Sequence, residues 1–127
     1  MRTIKFRGIP TFGKEFVYGE LITEKDESGK IKYIIFEKSK DGYNLSKYEV
    51  KPETVGQSTG QEDRRKKEIF AGDILEGLHG CPKRVYVKWN LYKWSFYDEK
   101  EEAYYNPVHW DIGTIIGNIY QDKNLIK

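Results

Sequence analysis

The chain has 127 residues, 22 Lys plus Arg against 20 Asp plus Glu, a net charge of +2 and one cysteine. Apolar residues make up 38% and aromatic residues 15%, enough for one domain of ordinary size with a core built largely on rings. These figures exclude a collagen, a coiled coil, a disulfide scaffold and a membrane-spanning helix, whose roughly 18 apolar residues compare with a longest unbroken run here of Tyr33-Ile34-Ile35-Phe36.

Apolar residues alternate or come in short runs broken by turn formers, which is the pattern of strands. Ile4 to Arg7 alternates and predicts the first strand; Gly8, Pro10 and Gly13 then break the chain. Phe16 to Ile22 predicts a second strand. Asp26-Glu27-Ser28-Gly29 predicts a turn in which Gly29 takes a positive φ. Ile31 to Glu37 follows as a strand with Ile31, Tyr33 and Ile35 on one face. Asp41-Gly42 marks another turn, and Tyr48 to Lys51 a short extended piece.

Pro52 to Lys67 differs: it is rich in Gly, Gln, Thr and charge, and Val55 is its one aliphatic residue. It is expected to be an ordered connection or β-arch whose charged end, Glu62 to Glu68, forms a solvated turn. In Ile69-Phe70-Ala71-Gly72-Asp73-Ile74-Leu75 the Gly-Asp pair predicts a tight turn or bulge, with the Asp side chain capping neighbouring N–H groups. Gly77 to Pro82 is a loop. Arg84 to Trp89 is the clearest strand, with Val85, Val87 and Trp89 on one face and Arg84, Tyr86 and Lys88 on the other. Lys93 to Asp98 closes a hairpin with it and sets Trp94 and Phe96 on one face. Asp98 to Glu102, with four acids in five positions, is expected to be exposed. Ala103-Tyr104-Tyr105 precedes Pro107, Asp111 to Tyr120 is the last strand, interrupted at Gly113 and Gly117, and Gln121 to Lys127 is a short helical turn or a frayed tail.

The fold expected is all-β, a small barrel or packed antiparallel sheets with little helix, its part from Ile69 onward SH3-like. Residues 1–127 are expected to form a single domain, readable as lobes 1–51 and 68–127 joined by 52–67. No apolar segment follows Arg2 and Lys5, so no secretory signal is expected; with the lone Cys81 this fits a reducing cytoplasm.

Chemistry is sparsely encoded. His79 and Cys81 lie 28 or more positions from His109, which is not the spacing of a zinc site. Neither a nucleophile–base set nor a phosphate loop can be read, so no catalytic residue, metal or cofactor is expected. The acid pairs near residue 100 read as solvated surface. The informative combination is cations with rings. Arg64-Arg65-Lys66-Lys67 is an unbroken basic run, and Arg84, Lys88 and Lys93 accompany Tyr86 on the second hairpin, with Tyr92, Tyr97, Tyr104 and Tyr105 nearby. Arg64, Arg65, Lys66, Lys67, Arg84, Tyr86 and Lys88 are therefore the candidate nucleic-acid contacts. The bland alternative is a solvated turn, its field weakened by Glu62, Asp63 and Glu68, beside an ordinary amphipathic hairpin. Neither half of the chain is polarised: residues 1–60 carry 11 basic and 9 acidic groups, residues 61–127 carry 11 of each.

Three segments occur in the order of one family. Pro52-Glu53-Thr54-Val55-Gly56-Gln57-Ser58-Thr59-Gly60-Gln61-Glu62-Asp63 with Lys67 to Leu75 resembles the signature of the YopX family, proteins encoded by phages and prophages. Ile4 to Gly8 with Phe16 to Gly19 resembles the family's opening, and Ile115 to Tyr120 its closing strand. One position departs: Lys66 stands where the family usually has Gly before the Lys, so the turn is expected to change shape. The resemblance implies a largely β protein with no assigned catalytic residues. The function expected is non-enzymatic binding, as a homo-oligomer, with nucleic acid or a host protein as partner and no membrane association; the alternative is a nucleic-acid-binding module using residues 64–67 and nearby aromatics.

Overall fold

The computed structural model describes residues 5–78, 84–90, 93–106 and 110–126. Its elements are strands joined by turns and three short 3-10 segments, and they fall into two units, Met1–Gln57 and Ser58–Lys127.

In the first unit β1 (Phe6–Gly8), β2 (Val17–Lys25), β3 (Ile31–Lys38) and β4 (Leu45–Val50) form an antiparallel meander in the spatial order β4-β3-β2-β1. The alternation read from the sequence sets the faces. Ile35 pairs with Leu21 on one side and Tyr48 on the other, and these residues surround a core of Val17, Ile35 and Val50 with Phe6, Tyr33 and Val55. Burying aliphatic side chains of this size contributes roughly 1.5–3 kcal/mol each. Both predicted turns form around carboxylates: Asp26 accepts from the Ser28 and Lys30 amides, Asp41 from that of Tyr43, and Gly29 and Gly42 take φ of 88° and 78°.

The meander curls until its ends meet. Past β1, Lys51 N–H donates to the Ile9 carbonyl, Thr11 N–H to that of Glu49, and Pro10 bridges Val50. Thr54, in the 3-10 turn Pro52–Thr54, is buried; its Oγ1 accepts from the Ile9 amide at 2.9 Å and donates to the Lys51 carbonyl at 2.7 Å. This seam satisfies backbone groups that a flat sheet leaves to water. Two glycines allow it. A Cβ on Gly8 would lie 3.0 Å from Val50, and one on Gly19 would overlap the Phe36 carbonyl oxygen at 1.9 Å. Arg7 is buried, its guanidinium 4.1 Å from the Phe16 ring centroid, a cation–π contact.

The connection expected over Pro52 to Lys67 is in large part a strand, β5 (Gly56–Glu62). Its opening residues pair with β1 and its later ones with β6 (Glu68–Phe70). Gly-Gln-Ser-Thr-Gly-Gln-Glu has no apolar residue to reveal it. Side chains assist the ladder instead: Thr59 Oγ1 donates to the Ile69 carbonyl, and the Ser58 hydroxyl bonds the Glu68 carboxylate.

In the second unit β7 (Asp73–Glu76), β8 (Arg84–Asn90), β9 (Lys93–Asp98), β10 (Ala103–Tyr105) and β11 (Thr114–Asn118) form a sheet in the order β10-β9-β8-β7-β11. Ile69, Leu75, Leu78, Val85, Val87 and Phe96 make its core, with Trp94, Tyr105, Trp110 and Ile115 against it. The Gly-Asp turn forms as expected. Gly72 has φ 91°, its amide donates to the Val87 carbonyl, and Asp73 Oδ2 accepts from the Phe70 amide at 2.8 Å. The last strand is shorter than expected because Trp110–Ile112 winds into a 3-10 segment before Gly113, and the tail is helical over Lys123–Ile126. Asp98, expected in the exposed acidic run, is 6% exposed, and its Oδ1 accepts from the Lys100 amide as the chain turns into β10.

Candidate nucleic-acid interface

The basic run is the turn between β5 and β6, and it is wound around a carboxylate. Asp63 is 3% exposed. Its Oδ1 accepts from the Arg65 and Lys67 amides at 2.9 Å each, and Oδ2 from the Ile115 amide of β11 at 3.0 Å. Burial pushes the Asp63 carboxyl up, but the Ile115, Lys67 and Arg65 amides and the Arg65 charge outweigh it and hold the group below the ordinary aspartate value. The Arg64 amide donates to the Gly113 carbonyl. Arg64, Arg65, Lys66 and Lys67 are all exposed. Sequence reasoning set Asp63 among the surface acids that weaken this run; it lies inside the turn because three backbone donors converge there.

Lys66 occupies the position where the resembling family carries Gly, and its φ is 63°. The turn therefore keeps a left-handed residue, and Lys rather than Gly bears the steric cost of roughly 1–2 kcal/mol. Against the greater flexibility of unfolded Gly, Lys66→Gly is expected to stabilise the protein by about 0.5–1 kcal/mol in urea denaturation; an unchanged or lower midpoint would refute this account of the turn.

The remaining candidates lie on β8. Arg84 is engaged locally: its guanidinium reaches Glu76 at 3.5 Å and the Leu125 carbonyl at 3.1 Å. Tyr86 packs edge-on against Tyr97, ring centroids 5.5 Å apart, and Tyr97 against Tyr104 at 4.8 Å. The register makes these three a row across β8, β9 and β10. Burial, then the nearby Glu99 charge, pushes the Tyr86 hydroxyl up to about 12, so it stays protonated in any physiological buffer. Lys88, on the same face, holds its ammonium 4.8 Å from the Tyr97 centroid and 5.7 Å from that of Tyr104.

The structure thus brings Tyr86 and Lys88 together with Tyr97 and Tyr104, and separates them from residues 64–67. The basic turn is tied to β11, and β7 lies between β11 and the β8 that carries Tyr86 and Lys88, two strand spacings or roughly 10 Å. Trp89, assigned to the inner face, pairs with Trp94 at 4.8 Å but is 54% exposed, because the end of β8 overhangs the core; its place next to the hairpin loop was the available signal. Residues 79–83, 91–92 and 107–109, hence His79, Cys81, Tyr92 and His109, lie outside the described residues. Among those described, no three His, Cys, Asp or Glu side chains come together, and no helix is long and apolar enough to cross a membrane.

The fold and its surfaces define a small all-β protein with a curled meander and a second, five-stranded sheet. The profile of the YopX protein family matches residues 5–127, and the chain belongs to that family. Among solved structures it is similar to protein EF1440 from Enterococcus faecalis, with 19% identity, a TM-score of 0.57 and full coverage of both chains, a likeness of fold. No curated protein matches the chain.

Proposed function

We propose that this protein works by binding rather than by catalysis, as a homo-oligomer, in the service of a phage or prophage inside the bacterial host cytoplasm. The edge of β4 supports the assembly. Its far end is covered at the seam by residues 9–11, whereas Leu45 to Tyr48 lies at the end of the strand order with β3 as its strand partner among the described residues. Beside that edge Tyr43 is 90% and Leu45 59% exposed. An uncovered edge flanked by apolar groups is a template for strand pairing with a second copy.

Light scattering coupled to size exclusion at high micromolar concentration is expected to give about 30 kDa, a two-fold dimer of the 15.0 kDa chain. Replacing Tyr43 by Ser together with Leu45 by Lys is expected to return the monomer mass. A 15.0 kDa species at every concentration tested would remove the assembly.

A further inference from the structure

We propose that two copies of the chain join along β4 in a single register, Leu45 opposite the partner's Lys47 about a two-fold axis at Ser46, with Phe12 of each copy anchored against the partner's Tyr43. The inference rests on the assembly reading above and fixes which groups pair and which side chain anchors them.

Hydrogen bonds at the two ends of β4 set the phase of the strand. At its start the Ser39 amide donates to the Asn44 carbonyl and the Asn44 amide to the Ser39 hydroxyl, so Asn44 turns its backbone groups inward to the β3 side. At its end the Thr11 amide donates to the Glu49 carbonyl and the Lys51 amide to that of Ile9, so Glu49 and Lys51 turn theirs outward. Successive residues of an antiparallel strand alternate in this respect. Leu45 and Lys47 therefore point N–H and C=O at the open edge, while Ser46 and Tyr48 direct theirs to β3. No strand lies beyond that edge among the described residues.

An antiparallel second copy satisfies all of these groups in one register. With Ser46 on the axis, Leu45 lies opposite the partner's Lys47 and Lys47 opposite the partner's Leu45, and each pair exchanges both hydrogen bonds. A register with Lys47 opposite the partner's Lys47 sets like charges together and needs the Glu49 carbonyl, which Thr11 already engages. A shift the other way needs Tyr43, which precedes the strand. A shift by one residue opposes outward groups to inward ones. A lysine on an edge ordinarily discourages pairing, but the Lys47 ammonium lies 3.4 Å from Glu24. Its charge is answered within its own sheet, and its aliphatic stem is left to cover the partner's Leu45.

Phe12 belongs to the same edge. Residues 9–11 occupy the line beside Glu49 to Lys51, and the chain then turns away, the Gly13 amide donating to the Pro10 carbonyl. That turn leaves the Phe12 ring fully exposed. Phe12 at one end of the open edge and Tyr43 at the other are the two most exposed large apolar side chains among the described residues. In the register about Ser46 the partner's Tyr43 falls level with Glu49, the place that Thr11 holds. The partner's strand therefore leaves the line there, and its ring stands beside Phe12. Two-fold symmetry makes this contact at both ends of the pairing. Aromatic anchors carry a disproportionate share of interface energy, and here each copy supplies both halves of the contact.

The test is disulfide trapping in the full chain carrying Cys81→Ser. Facing residues of a non-hydrogen-bonded antiparallel pair hold their Cα atoms about 4.5 Å apart, a span that a disulfide bridges. Ser46→Cys, at an exposed position, is therefore expected to give a covalent dimer under mild oxidation. Leu45→Cys and Lys47→Cys are each expected to stay uncoupled, because each would lie roughly 8 Å from its own copy, beyond disulfide reach. Phe12→Ala is expected to raise the dimer dissociation constant roughly tenfold, with an unchanged urea midpoint at a concentration where the chain is monomeric. Tyr43→Ala is expected to do the same, and the two together little more, since they remove one contact. A dimer in which Ser46→Cys fails to cross-link, or links no faster than its neighbours, overturns the register and leaves the assembly standing. A dimer whose affinity Phe12→Ala does not change overturns the anchor. A chain that is monomeric at every concentration removes the assembly and this pairing with it.

Discussion

Replacing Asp63 by alanine is expected to destabilise the protein by about 3–4 kcal/mol, a large share of the stability of a domain this size. The carboxylate satisfies the Arg65, Lys67 and Ile115 amides at once. Alanine leaves those donors without an acceptor beside the buried position, and each such loss costs about 1–3 kcal/mol. The effect carries a signature in pH. Because the folded group titrates below its ordinary value of 3.8, its contribution is fully present above the unfolded value and is lost as the pH falls through the folded one. Asp63→Asn keeps one acceptor oxygen and is expected to retain part of the stability while flattening the acid limb. Urea denaturation of parent, Ala and Asn variants from pH 7 to pH 2.5 checks both statements. Parallel acid limbs in parent and Asn variant would show that the carboxylate charge contributes nothing.

Gly19→Ala is expected to cost about 3 kcal/mol or more, through a different mechanism. The added Cβ would stand 1.9 Å from the carbonyl oxygen of Phe36 and 2.8 Å from its carbon. These atoms belong to backbone and have no rotamer by which to retreat. Glu20, the next residue, pairs with Phe36, so the strands must part there, and the curl that brings residues 9–11 to β4 goes with them. By contrast, a Cβ on Gly42 would meet nothing within 4 Å; its positive φ of 78° limits the expected cost of Gly42→Ala to about 1–2 kcal/mol. Urea midpoints of the two variants, measured side by side, separate crowding from backbone strain. Equal losses would contradict the role given to Gly19.

What could be read from the sequence was whatever alternation or turn chemistry writes into neighbouring residues. Val85 and Val87 face the core and Tyr86 and Lys88 the opposite side because a strand has period two, and Gly72-Asp73 forms its turn because both residues carry local signals. β5 was hidden, since a strand held by backbone ladders and by Thr59 and Ser58 needs no apolar residue. The burial of Asp63 and Asp98 was hidden for a related reason. Their charge argues for solvent, and only the folded turn shows how many amides point at each carboxylate. In the candidate site, the pairing of Tyr97 with Tyr104 and the position of Lys88 over both depend on register between strands, which no local pattern carries. The basic run was legible as a run. Its separation from the hairpin was not, because the order β10-β9-β8-β7-β11 is a property of the whole unit.

The seam at Ile9–Thr11 also imposes an order on synthesis. The Ile9 to Thr54 hydrogen bond spans 45 residues, so the first part of the chain leaves the ribosome well before its closing partner is made. The β2–β3 hairpin contains everything its own pairing needs and can form at once, whereas closure must wait for Glu49 to Thr54 and overcome the entropy of the intervening loop. Until then the backbone groups of Ile9 and Thr11 are open to any neighbouring strand. The nascent chain is thus most exposed to mispairing in the interval between the first turn and Thr54, and Pro10, which has no N–H to offer, stands in the middle of that exposed edge.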